Sequence, residues 1–140
     1  MTPQAQLFDT DCFRTCVACL LDLEPWEVPD FVGDEDDRGG GQWWIAFGQW
    51  LSARGLAAVS IHDQVGHSLT VWRDLYHVAS AMGPRGRRHA VVGRLEADDK
   101  ELRWHLVHDP HPSGAGLTEE PDRFYFLLPL DPARIRPEDP

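Results

Sequence analysis

Cys12, His89 and Asp109 supply a thiol, an imidazole and a carboxylate, side-chain types that together can run nucleophilic acyl chemistry. A cysteine nucleophile needs a base within reach, an acceptor that orients the base, and donors for the developing oxyanion. Cys12 falls where QLFDTDCFRTCVACLLDL (residues 6–23) changes from an extended entry to a helical repeat. Apolar residues recur at Cys12, Cys16, Cys19, Leu20 and Leu23, while Arg14, Thr15 and Asp22 lie off that face. Capping by Asp11 or Thr10 would set the Cys12 sulfur in the first turn. There the helix dipole and free N–H groups favour a thiolate and lower the thiol pKa. His89 opens the run HAVVGRLE, and Asp109 closes the run LRWHLVHD. If a three-residue loop at Asp98–Lys100 joins these runs as a hairpin, residues whose numbers sum to 198 face one another, as His89 and Asp109 do. Directly opposed residues have Cβ atoms about 4.5–5.5 Å apart, within reach of an imidazole N–H to a carboxylate. His77, His105, His108 and His111 compete for the role of base; the acidic partner at hairpin register and the glycine-containing turn before it set His89 apart.

The elements that must hold these groups follow from periodicity. EPWEVPDF (residues 24–31) reads as a short helical turn and an ordered loop packed by Trp26 and Phe31, and GDEDDRGGG (residues 33–41) as a mobile, solvated loop. Gln42–Arg54 carries Trp43, Phe47, Trp50 and Leu51 at helical spacing and ends at Gly55, which predicts a second core helix. LAAVSI (residues 56–61) reads as a strand, and a connecting helix is placed around Thr70–Leu75. From Tyr76 the pattern becomes that of strands: YHVASAM, HAVVGRLE, LRWHLVHD and FYFLLPL. Helices first and strands after predict an α+β domain, residues 1–132, with the helical part packed on a C-terminal antiparallel sheet and a loose tail at 133–140.

Composition narrows the function classes. A formal net charge of −10 opposes non-specific binding to nucleic acid, whose phosphates call for a basic surface. No apolar run approaches the roughly 20 residues of a membrane-spanning helix, and the first residues lack a signal-peptide pattern, so the expectation is a soluble cytoplasmic protein. Three cysteines are an odd number and fall within one predicted helix, which argues for reduced thiols and against a disulfide framework.

Gln6, then five residues, then Cys12 opening a helix, with HAVVG from His89 and VHDPHPSG from Val107, resembles the papain-like cysteine peptidases. The likeness is closest to the bacteriocin-leader (double-glycine) peptidase branch and covers residues 6 to about 114. Phe13 stands where that branch usually has glycine, and no transmembrane segment accompanies the motifs. The resemblance implies a papain-like fold and a peptide or small amide-containing substrate, with no cofactor. Cys12 would be the nucleophile, paired as a thiolate with a His89 imidazolium. Asp109 would orient His89, in the place where papain uses asparagine, a residue absent from this chain. Gln6 would offer its side-chain amide, with the Cys12 backbone N–H, to the oxyanion. Hydrolysis and acyl transfer share the same thioester, and both stay open.

Three further readings attach to particular residues. Trp43 can line a substrate groove or belong to the core. Arg85 and Arg87, in the basic turn GPRGRR (residues 83–88), can receive a substrate carboxylate or phosphate. Cys12, Cys16 and Cys19 with His105, His108 and His111 offer thiolate and imidazole ligands for zinc. A papain-like fold kept as an inactive binding module is the remaining alternative.

Overall fold

The runs YHVASAM, HAVVGRLE and LRWHLVHD are joined by links too short for helical crossovers, so they pair antiparallel. A computed structural model of the protein describes residues 1–8, 11–32, 42–62, 74–97 and 102–134. Within them, β1 (Leu56–His62), β2 (Tyr76–Met82), β3 (Arg88–Ala97), β4 (Leu102–His108) and β5 (Arg123–Pro129) form one antiparallel sheet in the order β1-β5-β2-β3-β4. Two α-helices precede it, α1 (Cys12–Leu21) and α2 (Gln42–Ser52), so the α+β expectation holds. Among the described residues no helix is long and apolar enough to cross a membrane.

Strand alternation divides the core into two. Val78 of β2, Ala90 and Val92 of β3 and Tyr125 of β5 face the helices, where they meet Phe13, Cys16, Val17, Trp43, Phe47 and Leu51. Their strand neighbours Ala79, Val91, Phe124 and Phe126 join Leu95 in a second cluster. The period of two thus gives both faces of the central strands an apolar layer. Packing of α1 on β3 and β2 carries the start of the helix to the start of β3.

Several local expectations are corrected. Helix α1 ends at Leu21, because Asp22 takes a left-handed conformation (φ 56°) and turns its N–H back to the carbonyls of Ala18 and Cys19. Thr15 is buried rather than off the packed face, its hydroxyl donating to the Asp11 carbonyl at 2.8 Å. Trp26 is 67% exposed and does not pack the loop, whereas Phe31 does, against Phe47 and Trp50. Pro132–Arg134 form a 3-10 turn, and the rest of the tail expected at 133–140 lies outside the described residues. The acidic loop at 33–41 and most of the helix expected around 70–75 lie outside the described residues.

The β3–β4 register also differs. Four residues, 98–101, separate the strands, and Ala97 faces Leu102 while Gly93 faces Leu106, pairs that sum to 199 rather than 198. A bulge between Val92 and Gly93 moves the register again, so that Val92 faces His108. Carried onward, that register sets Val91 across from Asp109. His89 is therefore a diagonal neighbour of Asp109, not its direct opposite. Diagonal Cβ atoms are about 7–8 Å apart, a span that an aromatic ring can bridge.

Candidate active site

His89 and Asp109 do meet. His89 Nε2 lies 2.6 Å from Asp109 Oδ1, and both side chains are almost completely buried. Asp109 sits just past the end of β4, where its carboxylate collects two more donors. The His111 N–H donates to Oδ1 at 2.9 Å and the Gly116 N–H to Oδ2 at 2.7 Å. Gly116 has φ +72°, a conformation that favours glycine, and this lets the loop after β4 fold back onto the carboxylate. Burial alone would raise the Asp109 carboxyl, but the His89 ring and the two amides outweigh it and hold the pKa below the usual value. Burial lowers the His89 pKa despite the adjacent Asp109, with smaller pushes the same way from Arg85 and His111. The pair at neutral pH is therefore an ionised carboxylate and a neutral imidazole. A carboxylate only accepts, so it fixes the Nε2–H tautomer and leaves Nδ1 as the basic nitrogen.

The start of α1 lies against this pair. The backbone amide of Ala90, the residue after His89, lies near enough to the Cys12 thiol to favour its ionised form. One helical turn further, Cys16 feels the negative charge of Asp109. The thiol itself differs from expectation. Burial raises the Cys12 pKa, and the charge of Asp11 adds to this, outweighing the amides of Ala90, Phe13 and Cys12 itself. Desolvation of a thiolate is a larger effect here than the helix end, so Cys12 rests as a neutral thiol. Cys16 and Cys19 are fully buried and burial raises both of their pKa values, as fits core packing.

Asp11 does not cap the helix. Its carboxylate turns backward and accepts from the N–H groups of Leu7 (3.1 Å) and Phe8 (3.0 Å), which fastens the entry segment to the helix start. That segment is also tied to the end of β4: His108 Nε2 donates to the Gln4 carbonyl at 2.6 Å, and the Gln6 N–H to the Pro110 carbonyl at 2.9 Å. Gln6 is thereby held between the helix start and the Asp109 loop. Its Nε2 donates to the Phe8 carbonyl at 2.7 Å, so in this conformation the amide is aimed at the backbone of its own loop. Among the described residues Gln6 Oε1 is buried without a partner.

The remaining candidates separate clearly. Trp43 is a core residue, not a groove lining: it is buried against Phe13, Trp44, Phe47 and Tyr125. Phe13, where the resembled branch has glycine, fills the centre of that aromatic layer with edge contacts to Trp43, Phe47 and Tyr125. Arg85 and Arg87 are exposed in the turn before β3. The six residues weighed for zinc do not converge: Cys16 and Cys19 are in the core, His105 is beside Glu96, His108 holds Gln4 and His111 bonds Ser113. Among the described residues no group of three or more His, Cys, Asp or Glu side chains could hold a metal ion.

Other participants are visible only in three dimensions. The Gly116 and His111 amides, the Ala90 amide and the backward-turned Asp11 all act through backbone contacts that side-chain identity does not announce. The nearest signal is the glycine-rich PSGAG following Asp109. Leu7 and Phe8, next to Gln6, are 60% and 68% exposed, an apolar pair that periodicity alone does not single out. Comparison with family models, with curated proteins and with solved structures finds no match to this chain.

Proposed function

We propose that this protein is a papain-like cysteine hydrolase or acyltransferase that acts on an amide bond of a peptide-like substrate through a thioester at Cys12. One observation carries the reading: a buried Asp109 fixes the tautomer of His89, and the next residue, Ala90, presents its amide near enough to the Cys12 thiol to favour its ionised form. In the mechanism, His89 Nδ1 takes the thiol proton as Cys12 Sγ bonds to the substrate carbonyl carbon. The oxyanion is met by the Cys12 backbone N–H and by Gln6 Nε2, which must first leave the Phe8 carbonyl. As the C–N bond breaks, His89 returns the proton to the leaving amine, and the acyl group stays on sulfur. Water or an acceptor amine then attacks the thioester, His89 taking its proton, and the S–C bond breaks to restore the thiol. Three cysteines without a disulfide fit a reducing compartment such as the cytoplasm.

The test is alkylation of Cys12 by iodoacetamide at pH 7, followed by mass spectrometry. Positioned base catalysis is worth about 10²–10⁴ in rate, so His89→Ala should slow modification at Cys12 by at least about tenfold. Equal rates in wild type and His89→Ala would sink the proposal, as would an amidase activity that survives Cys12→Ala. A second reading, a papain-like binding module without activity, draws on the raised pKa of the Cys12 thiol and the engaged Gln6. A Cys12 inert to iodoacetamide in an otherwise folded protein would select it.

A further inference from the structure

The turn between β2 and β3 is built directly onto His89. Gly83 N–H donates to the Arg87 carbonyl at 2.9 Å and Gly86 N–H to the Gly83 carbonyl at 3.2 Å, with Gly86 at φ +76°. A side chain at Gly83 would put its Cβ 2.9 Å from the His89 Cβ, so the glycine is what lets the turn lie flat against the histidine. Pro84–Arg87 is therefore the rim of the site on the histidine side. Arg85 lies close enough for its charge to act on His89.

The turn also gathers positive charge beside the site. Arg88 is spent on Asp122, with contacts of 2.7 and 3.0 Å, and Arg94 pairs with Asp74. Among the described residues, neither Arg85 nor Arg87 has a carboxylate partner, and both are exposed. In a chain of net charge −10, two unneutralised guanidinium groups at the rim of a buried site are a local reversal of the field.

Chemistry assigns that rim to one half of the substrate. In the mechanism above, His89 gives its proton to the leaving amine, so whatever surrounds His89 faces the leaving group, while Gln6 and Cys12 face the acyl half. The leaving group of a peptide bond is an amino component, and its α-carboxylate lies two bonds from the nitrogen that His89 protonates. We infer that Arg85 and Arg87 are specificity-determining residues that recognise a carboxylate on the leaving-group half of the substrate. This rests on the cysteine-hydrolase reading and adds to it a preference for cleavage beside a free carboxyl terminus or before an acidic residue. Guanidinium forks match a carboxylate in shape as well as charge.

A pair of matched alkylating agents tests it. Iodoacetate carries a carboxylate where iodoacetamide carries a neutral amide, and both modify the same sulfur. The readout is the ratio of the two second-order rate constants at Cys12, set against the same ratio for glutathione. Any change in the reactivity of the Cys12–His89 pair cancels in that ratio. Wild type should exceed the glutathione ratio by at least about fivefold, and the ratio should fall as salt shortens the Debye length from about 30 Å at 0.01 M to about 3 Å at 1 M. The Arg85→Glu, Arg87→Glu double variant, altered only at exposed turn positions, should drop to the glutathione ratio or lower. An identical ratio in wild type and the double variant overturns the inference while leaving the hydrolase reading standing. A Cys12 that resists both reagents overturns the hydrolase reading, and this inference with it.

Discussion

Asp109 is the residue on which the site turns. Its two oxygens accept from His89, His111 and Gly116, so one carboxylate orients the imidazole and also closes the loop that follows β4. These roles can be separated by substitution. Asp109→Ala removes the acceptor of two amides and of the histidine, and each buried donor left unpaired costs about 1–3 kcal/mol. Thermal or denaturant unfolding should register a loss in that range or above. Asp109→Asn keeps one oxygen but adds a donor, so it should retain most of the stability while slowing His89-dependent alkylation of Cys12. An Asp109→Asn protein that alkylates as fast as wild type would remove Asp109 from the orienting role. At this scale the sequence was informative about which residues meet and uninformative about how. The His89–Asp109 contact was foreseen from a direct opposition that does not exist, and it forms across a diagonal. Gln6 was assigned a free amide, yet the turn at Phe8 occupies it. Both differences arise from backbone geometry that depends on distant partners.

Among the elements, β3 does the most. It carries His89, presents the Ala90 amide to Cys12, and pairs with the bulged stretch of β4 that shifts the register ahead of Asp109. Gly93 follows the bulge, and the indole of Trp104 on β4 lies directly over it: an added Cβ would stand 2.4 Å from Trp104 Nε1. That nitrogen donates to His77 Nε2 on β2 at 3.1 Å, so the indole links three strands. Gly93→Ala must displace the ring, and overpacking of this kind costs about 1–3 kcal/mol. Urea unfolding should show a loss of that size, with a change in tryptophan fluorescence in the folded state; an unshifted midpoint would mean that the ring yields freely. The strands were legible from their β-branched and aromatic runs to within a residue or two. The bulge was not, because it needs one extra residue in β4 whose only sign is the pairing itself. Helix α2 was legible too, but whether its aromatic stripe lined a groove or a core was decided by Phe13 and Tyr125 arriving from elsewhere.

At the level of the whole molecule, stability should depend on pH through His77. This side chain is fully buried between Phe124 and Phe126, donates Nδ1–H to the Leu75 carbonyl at 2.9 Å and accepts from Trp104, so it is satisfied as a neutral ring. Burial is the main cause that takes its pKa down from 6.5 to about 4. A depressed pKa means that the unfolded chain binds the proton first. The contribution is complete above the unfolded value, declines as pH falls from 6.5, and is gone below about 4. At 1.36 kcal/mol per pKa unit the loss across that window is roughly 3 kcal/mol. His89, also lowered by burial, acts in the same direction. Unfolding free energies measured at several pH values should slope across this window in wild type and flatten in His77→Phe. An equal slope in both proteins would show that His77 is not the group being titrated.

The sequence by itself determined the order of helices and strands, because hydrophobic period is a local property of the chain. It also determined the chemical inventory, a thiol, an imidazole and a carboxylate in the right order. Only the tertiary structure decided the protonation state of that inventory and its partners. The helix whose start should favour a thiolate packs on β3, and desolvation raises the Cys12 pKa instead. An acid expected to cap the helix holds the entry loop, and a tryptophan offered to substrate is enclosed by other rings. Burial and hydrogen-bond partners come from segments far apart in the chain, and periodicity carries no record of them.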